Sequence, residues 1–219
     1  MSNVLRYPTV LFDLDGTLSD PFEGISRSIG YALEQLGRPP VPEAILRTWI
    51  GPSLRASFAS VLDGDHTLVE RAMALYRERY GPIGCLENHI YPGIPALLAD
   101  LAAADCAVCL ATSKPEIFAR RILEHFGVAM HFAVIGGASL DTSREHKADV
   151  IAYALSQLPP DRRRPAVMIG DREHDVLGAR EHDLPTIGVS YGYGSRTELA
   201  AAGALTVVAT VQELRDLLL

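Results

Sequence analysis

Asp13 and Asp15 stand two residues apart directly after the apolar run Thr9–Phe12, within Asp13-Leu14-Asp15-Gly16-Thr17. Side chains two apart on a strand point the same way, so the spacing predicts two carboxylates side by side at the end of a buried strand. They would repel each other and lose hydration there, and burying them unpaired is costly. A hard cation with oxygen ligands, such as Mg²⁺, answers both problems. Gly16 permits a sharp turn and Thr17 a cap for a following helix. The same residues also suit a plain solvated turn.

Gly170-Asp171-Arg172-Glu173-His174-Asp175 follows a second apolar run, Ala166–Ile169. Asp171 and Asp175, four apart, could share one helix face, although an acidic helix start is also favoured by the helix dipole alone. In a doubly wound sheet, neighbouring strands end at a common crevice, which would bring Asp171 to Asp13 and Asp15 around one ion. Thr112-Ser113-Lys114 follows a third run, Ala107–Ala111. Hydroxyls and backbone N–H groups at a helix start cradle phosphate. A simple cap completed by Pro115 uses the same residues.

Lysine usage discriminates further. Of 20 basic residues only Lys114 and Lys147 are lysine. Lys147 opens a predicted helix, where the dipole mildly disfavours a cation. A compact ammonium neutralising a transferring phosphoryl group would explain it. His146 and His174 flank these segments and read as ordinary helix-start residues. No H-E-x-x-H or G-x-x-x-x-G-K-[ST] pattern occurs, which argues against zincin and P-loop chemistry. Cys106 and Cys109 have C-x-x-C spacing, but no second pair or nearby histidine completes a zinc site.

The elements that must position these groups are readable from periodicity. Six short apolar runs, Thr9–Phe12, Ala107–Ala111, Phe132–Ile135, Ala166–Ile169, Thr186–Val189 and Thr206–Val208, predict strands of a parallel sheet buried on both faces. Helical patterns over Pro115–Phe126 and Glu145–Leu158 alternate with them, so the fold class is α/β, a doubly wound Rossmann-like parallel sheet. Between the first two runs no strand signal appears. Phe22, Ile25, Ile29, Leu33 and Leu36 form a helical stripe, and Pro42–Ile50, Pro52–Leu62 and His66–Tyr80 read as three more helices. The expected organisation is a core of residues 1–17 and 91–219 with a helical insertion over 18–90. Tyr91-Pro92-Gly93 marks the return.

The chain has 219 residues, 48% hydrophobic and 21% charged, with a net charge of −7. No basic surface invites nucleic acid or an anionic membrane. No apolar run approaches the roughly 18 to 20 residues of a membrane span, and no signal-type segment opens the chain. Three cysteines suggest no disulfide framework. The expectation is a cytoplasmic protein; nothing in the pattern selects an oligomeric state.

Taken together, Asp-x-Asp-Gly-Thr, strand-Thr-Ser, a lone Lys and Gly-Asp-x-x-x-Asp, in that order from residue 13 to 175, resemble the haloacid dehalogenase-like hydrolase superfamily. The helical insertion is similar to its type-1 cap. The nearest resemblance is to the phosphoglycolate phosphatase-like branch. Within that branch, Asp20–Ile25, Ala111–Pro115, Gly170–Asp175 and Tyr191-Gly192-Tyr193-Gly194 resemble a subgroup of 5′-nucleotidases. Many phosphoglycolate phosphatases have Thr-Asn-Lys where this chain has Thr112-Ser113-Lys114.

The resemblance implies an Mg²⁺-dependent phosphatase acting on a small phosphorylated metabolite. Asp13 would be the nucleophile, and Asp15 the general acid and base. Thr112 and Lys147 would hold phosphoryl oxygens, with Ser113 adding a backbone contact. Asp13, the Asp15 backbone carbonyl, Asp171 and Asp175 would hold the metal, Asp175 directly or through water. Asp15 and Asp171 argue against a dehalogenase, and the absence of lysine from residues 18–90 against a phosphonoacetaldehyde-type hydrolase. A phosphomutase shares all four motifs, and a non-catalytic binding protein on the same fold is the reading outside catalysis. Substrate choice is expected in the insertion, including Glu23 and Gly51-Pro52-Ser53-Leu54.

Overall fold

The computed structural model describes residues 7–139 and 143–219. These divide into two compact units, one comprising the described residues through Ser19 with Ile90–Leu219, the other Asp20–His89.

The first unit is built on six strands. β1 (Thr9–Phe12) is central, and β4 (Ala107–Pro115), β5 (Val134–Ala138), β6 (Ala166–Gly170), β7 (Thr186–Val189) and β8 (Thr206–Val208) complete a sheet of order β5-β4-β1-β6-β7-β8. Every pairing is parallel. Phe12 is in register with Leu110 on one side and Ile169 on the other. The chain builds outward from β1 through β4 to β5, then returns to β6 on the opposite side. This reversal makes the carboxyl ends of β1 and β6 the switch point, where doubly wound sheets bind ligands.

The helices of this unit are α5 (Ile94–Ala103), α6 (Glu116–His125), α7 (Lys147–Ser156), α8 (Glu173–Arg180), α9 (Arg196–Ala202) and α10 (Val211–Leu218). Alternation on each strand splits the sheet into two apolar faces. Leu11, Cys109, Ala111 and Met168 lie in one core cluster with Val150, Ile151 and Ala154 of α7 and Ala179 of α8. Cys85, Cys106 and Cys109 are all free and buried. Burial raises the Cys106 thiol to about 11 and the Cys109 thiol to about 12, as expected of inert core cysteines.

The second unit is helical: α1 (Phe22–Gln35), α2 (Glu43–Thr48), α3 (Leu54–Val61) and α4 (His66–Tyr80). Ile29, Ala32 and Leu33 of α1 are buried, as are Phe58 of α3 and Ala72 of α4, and α1 packs along α4. Trp49, Phe58, Tyr76 and Tyr80 form a chain of ring contacts. Glu87 receives Arg79 at 2.8 Å and Arg27 at 2.8 Å, and these guanidinium partners hold its carboxyl below its ordinary value. Glu23, expected to help choose substrate, bonds His89 at 3.0 Å and Arg27 at 2.5 Å within the same unit. Two short strands, β2 (Ser19–Asp20) and β3 (His89–Ile90), pair where the chain passes between the units. Among the described residues, no helix is long and apolar enough to cross a membrane.

Three elements depart from the sequence expectation. The third predicted strand starts at Val134 rather than Phe132, because Ala129–His131 forms a 3₁₀ turn before it. Thr112-Ser113-Lys114 does not open a helix. It extends β4, which pairs β5 through Thr112, slips register and pairs again at Pro115. Thr17 caps no helix; its hydroxyl donates to Asp171 Oδ1 at 3.3 Å.

Candidate active site

The β1 strand stops at Phe12, so Asp13 and Asp15 lie in the loop beyond it. Asp13 N–H still donates to Ile169 O at 2.9 Å and fixes the loop's first residue to β6. Gly16 then turns with φ +84, and a Cβ there would come within 2.2 Å of Asp171 Oδ2. Both the positive φ and the close approach therefore require glycine.

The two aspartates diverge in their partners. Asp13 Oδ1 is 2.9 Å from Lys147 Nζ, whereas Asp15 Oδ2 is 2.7 Å from Lys114 Nζ. The Lys147 ammonium also lies 2.7 Å from Asp175 Oδ1 and donates to Ala111 O at 3.0 Å. Both lysine side chains are buried. Every lysine of the chain is thus spent on this one cluster. Burial by itself would depress the Lys147 ammonium, but the Asp13 and Asp175 carboxylates outweigh it and hold the pKa above its ordinary value.

Asp171 follows β6 and lies one residue before the N-cap of α8, while Asp175 sits in that helix's first turn. Both are buried. One oxygen each from Asp13, Asp171 and Asp175 falls within 4.8 Å of the others, a spacing able to hold one metal ion. Burial first, then the Asp175 and Asp13 charges, push the Asp171 carboxyl well above its usual range. Asp175 is pushed up to about 6 by burial, against the pull of Lys147. Burial also raises Asp15, with Lys114 opposing it. When ionised, the four carboxylates set four negative charges against two ammonium groups. The remaining two match one divalent cation, and oxygen-only ligands suit a hard one.

A tight loop holds Asp171 from the far side. Tyr193 N–H donates to Asp171 Oδ2 at 2.8 Å, and Tyr191 Oη–H donates to Thr17 O at 3.0 Å. A Cβ on Gly192 would meet Gly16 O at 2.2 Å and Asp171 Oδ2 at 2.5 Å. Asp175 divides its oxygens between Lys147 and the Arg172 N–H, the latter at 3.1 Å.

Of the residues singled out from sequence, the structure gathers Asp13, Asp15, Lys147, Asp171 and Asp175 at the carboxyl ends of β1 and β6. Thr112 is buried, and its hydroxyl accepts from Lys114 N–H at 3.2 Å. Ser113 faces outward, so its side chain does not share Thr112's setting. His146 and His174 are exposed. Lys114 is the group whose place sequence reasoning missed; its rarity was the available signal. The supporting role of Tyr191–Gly194 was also missed.

The sheet is parallel and doubly wound, a Rossmann-like α/β fold with this carboxylate–lysine cluster at its switch point. The chain belongs to the haloacid dehalogenase-like hydrolase family, whose model matches residues 10–189. It is 42% identical over 214 residues to a 5′-nucleotidase of Pseudomonas aeruginosa, covering 98% of this chain and 96% of that one. It is 46% identical over 213 residues to Tyrosine-protein kinase PtkA of Mycobacterium tuberculosis, covering 95% and 72% respectively. A solved structure from Clostridium acetobutylicum, described as a predicted phosphatase, superposes with a TM-score of 0.87 at 43% identity, covering 96% of this chain and 97% of that one.

Proposed function

We propose that this chain hydrolyses phosphate monoesters of small metabolites through an aspartyl-phosphate on Asp13, with Mg²⁺ held by Asp13, the Asp15 carbonyl, Asp171 and Asp175. One observation carries this reading: adjacent carboxylates are held by different lysines, Asp13 by Lys147 and Asp15 by Lys114. Such separation suits two jobs, attack and proton transfer. Asp13 attacks phosphorus while the bond to the leaving oxygen breaks and Asp15 gives that oxygen a proton. Asp15 then takes a proton from water as the water oxygen bonds phosphorus and the Asp13 ester bond breaks, releasing inorganic phosphate. Lys147, with Thr112 and the Ser113 backbone, holds the non-bridging phosphoryl oxygens, which lets an anionic nucleophile approach an anionic ester. When bound, Mg²⁺ supplies charge neutralisation at the phosphoryl oxygens. The division of Asp175 between Lys147 and Arg172 favours contact with the ion through water.

The Pseudomonas relative favours a 5′-nucleotide as substrate, with phosphoglycolate-type acids next. A second reading comes from the mycobacterial relative's name: the phosphoryl group on Asp13 passes to a tyrosyl hydroxyl, with Asp15 as proton acceptor. Asp13→Asn is expected to abolish phosphate release from p-nitrophenyl phosphate, and wild-type turnover in that variant would end the covalent reading. A panel of phosphate monoesters compared by kcat/KM, with a tyrosine-containing peptide as competing acceptor, separates hydrolysis from transfer.

A further inference from the structure

We infer that Lys114 is the positioning residue for Asp15, an inference that rests on the proton-transfer role proposed for that carboxylate. The Lys114 ammonium lies 2.7 Å from Asp15 Oδ2, with side-chain exposures of 5% and 16%. Asp15 Oδ1 is buried and has no hydrogen-bond partner among the described residues. One oxygen is therefore held and the other left to exchange a proton.

The backbone under Lys114 is fixed as well. Its N–H is tied to Thr112 Oγ, and β4 resumes pairing with β5 at the next residue, Pro115. At Gly137 of β5 a Cβ would come within 2.7 Å of Lys114 O. The strand extension that replaces the expected helix cap thus aims the lysine stem at Asp15. A flexible ammonium loses much rotamer freedom when ordered, and anchoring its backbone reduces the conformational freedom still to be lost. Lys147 cannot substitute, because it is engaged by Asp13, Asp175 and Ala111. Without Lys114, the Asp13 charge would push the Asp15 carboxylate away from the reacting atoms.

In the first displacement the Oδ1 proton goes to the leaving oxygen as that oxygen separates from phosphorus. In the second, Oδ1 receives a proton from the attacking water as the Asp13 ester bond breaks. A poor alkoxide leaving group needs the first transfer far more than a p-nitrophenolate does.

The test measures kcat/KM with Mg²⁺ for p-nitrophenyl phosphate and for ethyl phosphate on one sample, and takes their ratio. The ratio is insensitive to the fraction of active protein, so a merely structural defect leaves it unchanged. Lys114→Met is expected to raise it by about 100-fold, within the range ascribed to general acid catalysis. Asp15→Asn should raise it at least as much, and Lys114→Arg should lie between wild type and Lys114→Met. Where Lys114→Met is insoluble, Lys114→Gln replaces it with the same expectation. An elevated ratio in Asp15→Asn with a wild-type ratio in the Lys114 variants overturns the inference alone. A wild-type ratio in Asp15→Asn overturns the role of Asp15, and the inference with it.

Discussion

Replacing Lys147 by methionine keeps an unbranched apolar stem and removes the terminal ammonium, its charge and its hydrogen-bond donors. The ammonium is within 2.9 Å of Asp13 and 2.7 Å of Asp175 and bonds a backbone carbonyl at 3.0 Å. It is nearly inaccessible to solvent, so water cannot replace it. Removing one partner of a buried ion pair costs about 3–5 kcal/mol. The sign of the pH dependence follows from Asp175. Its folded-state pKa already lies above the unfolded value of 3.8, and losing Lys147 removes the group that lowers it. Stability associated with its bound proton is fully present below the unfolded pKa and lost as pH rises through the folded one. Urea unfolding in EDTA should therefore show a deficit of about 4 kcal/mol at pH 8 that shrinks towards pH 4, with an unchanged m value. A variant as stable as wild type at pH 8, or one whose deficit grows on acidification, refutes the charge-cluster account.

Two further outcomes follow from the same cluster. Asp171→Asn replaces a buried carboxyl whose burial resists ionisation; at pH 8 without metal its Tm should equal or exceed that of wild type, and the rise in Tm on adding Mg²⁺, read by differential scanning fluorimetry, should vanish. A wild-type response to Mg²⁺ would remove Asp171 from the metal site. Gly192→Ala forces a methyl group against Gly16 O and Asp171 Oδ2; overpacking of this kind costs about 1–3 kcal/mol, and Mg²⁺ affinity measured by titration calorimetry should weaken with it, whereas an unchanged affinity would deny the loop its hold on Asp171.

How far the sequence could be read depended on which interactions were local. β1, β7 and β8 end where their apolar runs end, and α4 spans His66–Tyr80 as its pattern predicts. The proximity of Asp171 and Asp13 followed from the rule that adjacent parallel strands end at one crevice. The extension of β4 through Lys114 was not readable, because it depends on pairing with β5, whose register is set by residues far along the chain. Asp13 and Asp15 were expected side by side on a strand. The strand ends at Phe12 instead, each carboxylate pairs with a different lysine, and only the folded sheet decides which lysine reaches which carboxylate. Helix α5, Ile94-Pro-Ala-Leu-Leu-Ala-Asp-Leu-Ala-Ala, went unread because apolar residues on nearly all sides leave little stripe to recognise.

Concentrating both lysines in the cluster has a practical consequence for anyone handling the protein. Amine-directed reagents normally decorate a surface at random. Here the only lysine amines are two buried ammonium groups, one against each of Asp13 and Asp15. Mild acylation or surface immobilisation through amines should therefore address the α-amino terminus, while forcing conditions should report directly on the opening of the carboxylate cluster. The chain carries its own built-in footprinting probe, with a phosphate analogue or Mg²⁺ as the natural protectant.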